Sequence, residues 1–119
     1  MRKILLADDD QDMLSLMKSM LTKKGFTVLG LFKGKQVLSN IQTFQPDLVI
    51  LDINLGDSDG REICNAIKSQ ENYNDIPIIL YSAESWPDHQ IADCKADAFI
   101  QKPFSRDLFL DKIEELIAA

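Results

Sequence analysis

Short apolar runs alternate along this chain with stretches of helical spacing, and that alternation constrains the fold more than any other feature. The apolar runs are continuous, most contain β-branched or aromatic residues, and they lie at residues 3–7, 27–32, 48–51, 76–81 and 98–100. Runs of this kind are typical of strands that are covered on both faces. The pattern therefore predicts five parallel strands with a crossover between each strand and the next.

The stretches between the runs carry apolar residues at intervals of three or four, the spacing of a helix with one buried face. These positions are Leu14, Met17 and Leu21, then Val37, Ile41 and Phe44, then Ile63 and Ile67, and finally Phe109, Ile113, Leu116 and Ile117. A further helix is signalled poorly at residues 87–95, where Pro87 interrupts the pattern. Alternation of strands and helices predicts an α/β fold, with a parallel sheet and helices on both of its faces.

Local boundary signals agree with these elements. Gly25 follows Lys23 and Lys24, as expected where a helix stops after basic residues in its last turn. Pro77 stands near the beginning of the fourth run, where a missing N–H is tolerated. Ser105 precedes the last helix and can cap it.

Length and charge limit the number of domains and the kinds of partner. The 119 residues fit a single domain, residues 1–119. With 13 basic and 19 acidic side chains the formal net charge is −6. Such a chain lacks the Lys/Arg surface that neutralises nucleic-acid phosphates or binds an anionic membrane. We therefore expect neither direct nucleic-acid binding nor membrane association.

The cysteines and the single histidine exclude further classes of site. Cys64 and Cys94 form neither a zinc-ligand spacing nor a disulfide framework, and two packed, reduced thiols suggest the cytoplasm. His89 alone leaves little material for histidine-based catalysis. The first apolar run meets Asp8 after four residues, far short of a signal-peptide core or a membrane span.

Polar side chains collect where the predicted strands end. In an open parallel sheet, ligands bind beyond the carboxyl ends of the strands, where the direction of winding reverses. The residues at these ends are Asp8, Asp9 and Asp10 after the first strand, Asp52 as the last residue of the third, Ser82 and Ala83 after the fourth, and Lys102 and Pro103 after the fifth.

Each of these residues also has a purely structural explanation. Consecutive aspartates before a helix commonly cap it and complement its dipole. A lone aspartate at a strand end, such as Asp52, is often a turn residue, and Ser82 or Lys102 alone would be assigned to the solvated surface. Their coincidence at one edge of the predicted sheet favours a functional site.

The chemistry of this set points to a cation and a phosphoryl group. Carboxylates gathered from two strand ends repel each other, and a raised pKa or a bound cation relieves the repulsion. Oxygen ligands without histidine or cysteine favour a hard divalent ion such as Mg²⁺. Lys102, Ser82 and backbone N–H groups near Ala83 can hold a phosphoryl group. A carboxylate can accept that group as an aspartyl phosphate, and Asp52 is the natural acceptor.

Four segments together resemble the response-regulator receiver domains of two-component signalling. They are residues 4–10 (ILLADDD), 48–55 (LVILDINL) with Asp59-Gly60, 78–83 (IILYSA) and 99–104 (FIQKPF). They occur in the family's order, and the likeness extends from Lys3 to the last helix. It implies a flavodoxin-like, doubly wound sheet with the strand order 2-1-3-4-5.

The resemblance implies a role for each acidic residue. Asp52 would be the phosphorylated side chain and would also contact the metal. Asp9 would be a direct Mg²⁺ ligand, and Asp8 would hold the ion mainly through water. Asn54 would contribute its backbone carbonyl.

The resemblance also implies a switch and its partners. Lys102 would pair with the phosphate, and Ser82 would hydrogen-bond to it while Phe99 turns inward. The surface of the last two helices and the last strand would change in response. The expected donor is a sensor histidine kinase or a phosphotransfer protein. The downstream effector is left open, as is a phosphorylation-linked homodimer. A receiver turns over no external substrate, so we do not expect an enzyme.

Three features depart from the family pattern. Gly56 stands where proline is usual, so the loop after Asp52 is less restricted. The interval from Ser82 to Lys102 looks short, which affects the poorly signalled helix. Lys95 occupies a turn position that is often glycine, where a positive φ would cost lysine about 1 kcal/mol.

Two alternatives remain beside the receiver hypothesis. A flavodoxin-like binder of a phosphorylated cofactor such as FMN shares the alternation, but it predicts a Ser/Thr/Gly-rich loop after the first strand. The acidic residues 8–10 stand there instead. A degenerate receiver that serves only as an interaction surface is opposed by the intact acidic and basic set.

Overall fold

The computed structural model describes residues 2–84 and 93–118, and within them five parallel strands form one sheet. The strands are β1 (Lys3–Ala7), β2 (Thr27–Leu31), β3 (Leu48–Asp52), β4 (Ile78–Ser82) and β5 (Ala98–Gln101). Their order across the sheet is β2-β1-β3-β4-β5, and every neighbouring pair is parallel. Both the α/β class and the order 2-1-3-4-5 are confirmed.

Four α-helices accompany the strands in the described part of the chain. They are α1 (Gln11–Lys23), α2 (Val37–Phe44), α3 (Gly60–Lys68) and α4 (Arg106–Ala118), and a 3₁₀ turn (Gly34–Gln36) precedes α2. The helix predicted at residues 87–95 falls mostly outside the described residues, as does His89; residues 93–95 form a turn.

The continuous apolar runs arise because each central strand feeds two cores. Along β3, Val49 and Leu51 face one core with α2 and α3, whereas Leu48 and Ile50 face the other with α1 and α4. All five residues of β3 are buried. A strand covered on both faces has no position at which a solvated side chain fits, so its sequence shows no polar alternation.

The predicted helix boundaries are confirmed by their hydrogen bonds. The Asp10 carboxylate accepts from the N–H groups of Asp12 and Met13 at the beginning of α1. Gly25 follows the end of that helix with φ +96°, a conformation that favours glycine. The Ser105 hydroxyl accepts from the Leu108 N–H at 3.0 Å.

Several strand ends differ from their predicted positions by one or two residues. β2 stops at Leu31, and Phe32 is exposed. β4 begins at Ile78, so Pro77 lies just before it and offers its carbonyl to the Val49 N–H. β3 ends at Asp52 as predicted, whereas β4 continues to Ser82 and β5 to Gln101, each one residue further than predicted.

The ends of β3 and β4 matter because the polar residues there take part in the backbone hydrogen bonding between neighbouring strands. The Ile53 N–H donates to the Tyr81 carbonyl, and the Lys102 N–H donates to the Ser82 carbonyl at 2.7 Å. Asp52 and Ser82 are therefore fixed by strand pairing and do not lie on free loops.

Candidate functional site

Three carboxylates converge at the carboxyl edge of the sheet. Asp8 and Asp9 follow β1 and Asp52 ends β3, and one oxygen from each lies within 4.8 Å of the others. Asp8 and Asp52 are buried, whereas Asp9 is exposed. Asp10, the third aspartate of the run, instead caps α1. The predicted convergence of two strand ends is thus present.

Asp8 is completely buried and is held by fixed donors. Its Oδ1 accepts from the Asp10 N–H at 2.9 Å. Its Oδ2 accepts from the Tyr81 hydroxyl at 2.6 Å and lies 3.4 Å from the Lys102 ammonium. This carboxylate therefore has little freedom to turn.

Asp52 lies between a backbone donor and the same ammonium. Its Oδ1 accepts from the Asn54 N–H at 3.0 Å, and its Oδ2 lies 3.1 Å from Lys102 Nζ. Burial raises the pKa of Asp52 above its ordinary value and the Asp8 carboxylate adds to the rise, while the Asn54 N–H and Lys102 oppose it. The rise is caused mainly by burial, which takes the Asp52 carboxylate away from the water that would stabilise its charge.

Lys102 connects the two buried carboxylates. Its ammonium lies 3.4 Å from Asp8 and 3.1 Å from Asp52, and 4.5 Å from the centre of the Tyr81 ring. The side chain is only 16% exposed. A compact, strongly hydrated charge held in this way is suited to an anion that arrives beside Asp52.

Ser82 ends β4 and Ala83 follows it, while Phe99 lies on the neighbouring β5, opposite Leu80. Ser82 is buried, and its hydroxyl accepts from the Glu84 N–H at 3.1 Å. Ala83 is exposed. Phe99 is half-buried on β5 and packs against the core formed with α2 and α3. In this structure the Ser82 hydroxyl is thus engaged with the following backbone.

The loop after Asp52 has a tightly determined path. A Cβ on Gly60 would lie 2.3 Å from the Asp52 carbonyl, so only glycine lets the beginning of α3 approach the end of β3. Asp59 caps α3 by accepting from the Arg61 N–H at 2.9 Å. Gly56 has φ +79°, which proline cannot adopt. The loop therefore has a backbone conformation at Gly56 that proline would not allow, and Gly56 lies close to the Asp9 carboxylate.

Tyr81 belongs to the cluster although its place in the sequence gives no sign of a functional role. It occupies a fully buried strand, and it looked like one more apolar position in a continuous run. A usable signal was available, because the hydroxyl of a buried tyrosine nearly always needs a hydrogen-bond partner. The nearest polar atoms to such a position are those at the carboxyl edge.

The fold and this site together define a class of protein. A doubly wound parallel sheet carries, at the carboxyl edge where its strand order reverses, an acidic cluster beside one lysine. The model of the response regulator receiver domain matches residues 4–114. The chain therefore belongs to the receiver domains of two-component response regulators.

Individual proteins agree with that assignment. The sensory transduction protein BceR of Halalkalibacterium halodurans is 34% identical over 98% of this chain. The alignment covers 50% of that protein, so the chain spans about half the length of these curated relatives.

Solved structures show the same architecture. The signal receiver domain of a histidine kinase from Syntrophus aciditrophicus has a TM-score of 0.92 at 26% identity, covering 99% of this chain and 91% of that one. A CheY-like receiver domain protein from Methanospirillum hungatei has a TM-score of 0.92 at 25% identity, covering 99% and 94%. In the described ranges, no helix is both long enough and apolar enough to cross a membrane.

Proposed function

We propose that Asp52 accepts a phosphoryl group from a sensor histidine kinase or a phosphotransfer protein. The observation that carries the proposal is the position of the Asp52 carboxylate, buried at the end of β3 and 3.1 Å from the Lys102 ammonium. An Asp52 oxygen forms the new bond to phosphorus while the bond from phosphorus to the donor's histidine nitrogen breaks. The bonding electron pair stays on that nitrogen.

The carboxylates suit a magnesium ion. One oxygen from each of the three aspartates lies within 4.8 Å of the others, and two of these residues, Asp8 and Asp52, contact the Lys102 ammonium. Mg²⁺ prefers oxygen ligands and keeps several of its waters. When bound, it would neutralise the charge of the phosphoryl oxygens.

The surroundings of each ligand suggest how it would contribute. Asp9 is exposed and can turn toward the ion directly, whereas Asp8 already accepts hydrogen bonds at both oxygens and would act mainly through water. Asp52 would complete the carboxylate set, and Asn54, two residues further on, would add its backbone carbonyl.

The phosphoryl group would be held by Lys102, Ser82 and the backbone N–H of Ala83. The lysine charge already faces Asp52. The Ser82 hydroxyl now accepts from the Glu84 N–H, and rotation toward the phosphate would release that contact. Phe99 would then turn inward, which would transmit the change to the surface of the last strand and of the last two predicted helices.

This function has consequences for partners and location. The domain would modify only itself and would turn over no external substrate. Its cytoplasmic location, its downstream effector and a homodimer linked to phosphorylation are parts of the same proposal. The name of the halodurans relative, a sensory transduction protein, is consistent with a role in signalling.

The test is phosphorylation by a small phosphodonor. The protein is incubated with Mg²⁺ and acetyl phosphate, and intact mass is measured. We expect the wild type to gain the mass of one phosphoryl group, lost on alkaline treatment as expected of an acyl phosphate. Asp52→Asn should gain nothing. Asp57→Asn is a matched control five residues away, because Asp57 is bonded to the backbone of Gly34 and not to the cluster.

The outcomes separate the alternatives. A wild type that gains no mass with acetyl phosphate or with a phosphorylated histidine donor would contradict the proposal and leave an interaction module. An equal gain in Asp52→Asn would place the modification elsewhere. A flavin-coloured protein would favour the cofactor binder, although buried Asp8 at the end of β1 would repel a phosphate.

A further inference from the structure

Tyr81 is the one tyrosine of the described residues that reaches the acidic cluster, through two separate parts of its side chain. Its hydroxyl donates to Asp8 Oδ2 at 2.6 Å, and its ring lies under the Lys102 ammonium at 4.5 Å. The residue is fully buried in β4, directly beside Asp52 in the register of β3 and β4. The phenol therefore contacts both of the charges that flank Asp52.

The hydrogen bond to Asp8 is short and buried. A distance of 2.6 Å is typical of a hydroxyl that donates to a carboxylate, a charge-assisted bond about twice as strong as one between neutral groups. The hydroxyl is the donor, because an ionised carboxylate only accepts hydrogen bonds, and both groups are fully buried, so water does not compete for the contact.

Counting acceptor sites shows what this bond does to Asp8. A carboxylate offers about four lone-pair sites. The Asp10 N–H takes one on Oδ1, and the Tyr81 hydroxyl and Lys102 ammonium share Oδ2. The free site is left on Oδ1, so the anchored Oδ2 determines which way the carboxylate presents its remaining lone pair.

We propose that Tyr81 is a positioning residue that orients the Asp8 carboxylate for a divalent cation and keeps Lys102 beside Asp52. This inference rests on the proposed magnesium site. Without the hydroxyl, Lys102 is the only donor near Asp8 Oδ2 among the described residues, and its ammonium is drawn from Asp52 toward Asp8. Donors that orient metal ligands typically change metal affinity 10- to 100-fold when removed.

The test uses Tyr81→Phe, which removes the hydroxyl but keeps the ring. The ring contacts with Lys102 and with Phe104, whose centroid lies 6.2 Å away, remain possible. Tyr73→Phe is the matched control, since Tyr73 packs against the opposite core. Mg²⁺ binding is measured by isothermal titration calorimetry on the unphosphorylated proteins.

We expect the Mg²⁺ dissociation constant of Tyr81→Phe to rise about 10-fold, while that of Tyr73→Phe stays at the wild-type value. When Asp8→Asn is already present, adding Tyr81→Phe should leave the Mg²⁺ dissociation constant unchanged, because a residue that acts through Asp8 has no further effect once Asp8 is altered. Phosphorylation of Tyr81→Phe by acetyl phosphate should return to the wild-type level when the Mg²⁺ concentration is raised by the same factor as the dissociation constant.

A second measurement needs no variant of the cluster. In the wild type, Mg²⁺ should shift the NMR signals of the Tyr81 ring and leave those of Tyr73 in place. An unchanged dissociation constant in Tyr81→Phe, a tighter one, or a Tyr81 ring insensitive to Mg²⁺ would overturn the inference. A wild type that binds no Mg²⁺ would instead overturn the proposed function.

Discussion

At the scale of single residues, three consecutive aspartates occupy three different environments. Asp8 is buried and bonded to Tyr81, Asp9 is exposed beside Asp52, and Asp10 caps α1. Identical side chains one position apart diverge here because the chain turns from strand to helix within these residues. The environment of each carboxylate therefore decides what it does.

Asp10→Ala should lower the free energy of unfolding by about 1 kcal/mol, because the two N–H groups at the beginning of α1 lose their acceptor. The Mg²⁺ dissociation constant should not change. Asp9→Ala should do the opposite, weakening Mg²⁺ binding with little loss of stability. Urea unfolding and calorimetric titration of both variants measure this, and equal effects on Mg²⁺ would contradict the division of roles.

Asp52→Asn should stabilise the fold at neutral pH when EDTA is present. Burial and the Asp8 carboxylate raise the pKa of Asp52 in the folded state, so the unfolded chain ionises first as the pH rises. The contribution of Asp52 to the free energy of unfolding is therefore largest below the ordinary pKa of 3.8. It decreases as the pH rises through the pKa of Asp52 in the folded state.

The extra stability of Asp52→Asn over the wild type should accordingly disappear in acid. Asp57→Asn is an informative comparison because the Gly34 N–H lowers the pKa of Asp57. That carboxylate stabilises the fold above its unfolded pKa, and its contribution is lost as the pH falls through the folded value. The melting temperature of each variant is compared with that of the wild type from acid to neutral pH. As the pH rises, this difference should become more positive for Asp52→Asn and more negative for Asp57→Asn. A difference that changes in the same direction for both variants would contradict the assignment.

The sequence separates these residues only in part. It places Asp8, Asp9, Asp52, Ser82 and Lys102 at strand ends, since the carboxyl ends of parallel strands share one edge. It does not separate capping by Asp10 from burial of Asp8, because both follow from the angle at which α1 leaves β1. The sequence does not predict the contact between Tyr81 and Asp8 for a related reason. The pattern of a strand indicates which face of the sheet a residue lies on, but not which atoms the end of a long side chain contacts.

At the scale of elements, the site depends on how closely α3 begins beside β3. Gly60 is buried at that junction, and a Cβ there would lie 2.3 Å from the Asp52 carbonyl and 2.9 Å from the Ile53 Cα. Both obstacles are backbone atoms, which cannot move aside as the end of a side chain can. The strand end that carries Asp52 and the helix that Asp59 caps are thus packed as one unit.

Gly60→Ala should therefore destabilise the protein by about 3 kcal/mol, at the upper end of the usual range for overpacking. Gly25→Ala is the matched control: its φ is +96° but nothing lies within 4 Å of the added Cβ, so it should cost only about 1 kcal/mol. Denaturant unfolding of both variants checks the difference. A Gly60 variant as stable as the Gly25 variant would contradict the close approach.

Element positions were predictable and element ends were not. Apolar runs locate all five strands because a strand buried on both faces tolerates few polar residues. Where a strand stops depends on its neighbour: Ser82 belongs to β4 because its carbonyl accepts from the Lys102 N–H, a residue twenty positions away. Pro77 falls before β4 for the same reason, since the ladder and not composition decides the first paired residue.

At the scale of the whole molecule, the acidic cluster lies where both cores meet the same edge of the sheet. Asp8 follows β1 and Asp52 ends β3, and these two neighbouring strands contribute residues to both cores. Repulsion between these carboxylates therefore opposes the packing of the entire sheet. A cation that binds only the folded cluster would relieve that repulsion and stabilise the whole chain.

Mg²⁺ should accordingly raise the melting temperature of the wild type. At a concentration ten times the dissociation constant, binding to the folded state alone adds about 1.4 kcal/mol, which for a domain of this size corresponds to a rise of several degrees. Asp57→Asn should show the same rise, because its carboxylate is bonded to Gly34 outside the cluster. Asp9→Ala and Asp52→Asn should show much less.

Differential scanning fluorimetry over a Mg²⁺ series, with NaCl at matched ionic strength, separates specific binding from screening of the net charge of −6. Screening raises stability in all four proteins alike, since it acts on the whole surface. Specific binding raises it only where the carboxylate cluster is intact. A rise of the same size in Asp52→Asn as in the wild type would show that the ion acts elsewhere on the acidic surface.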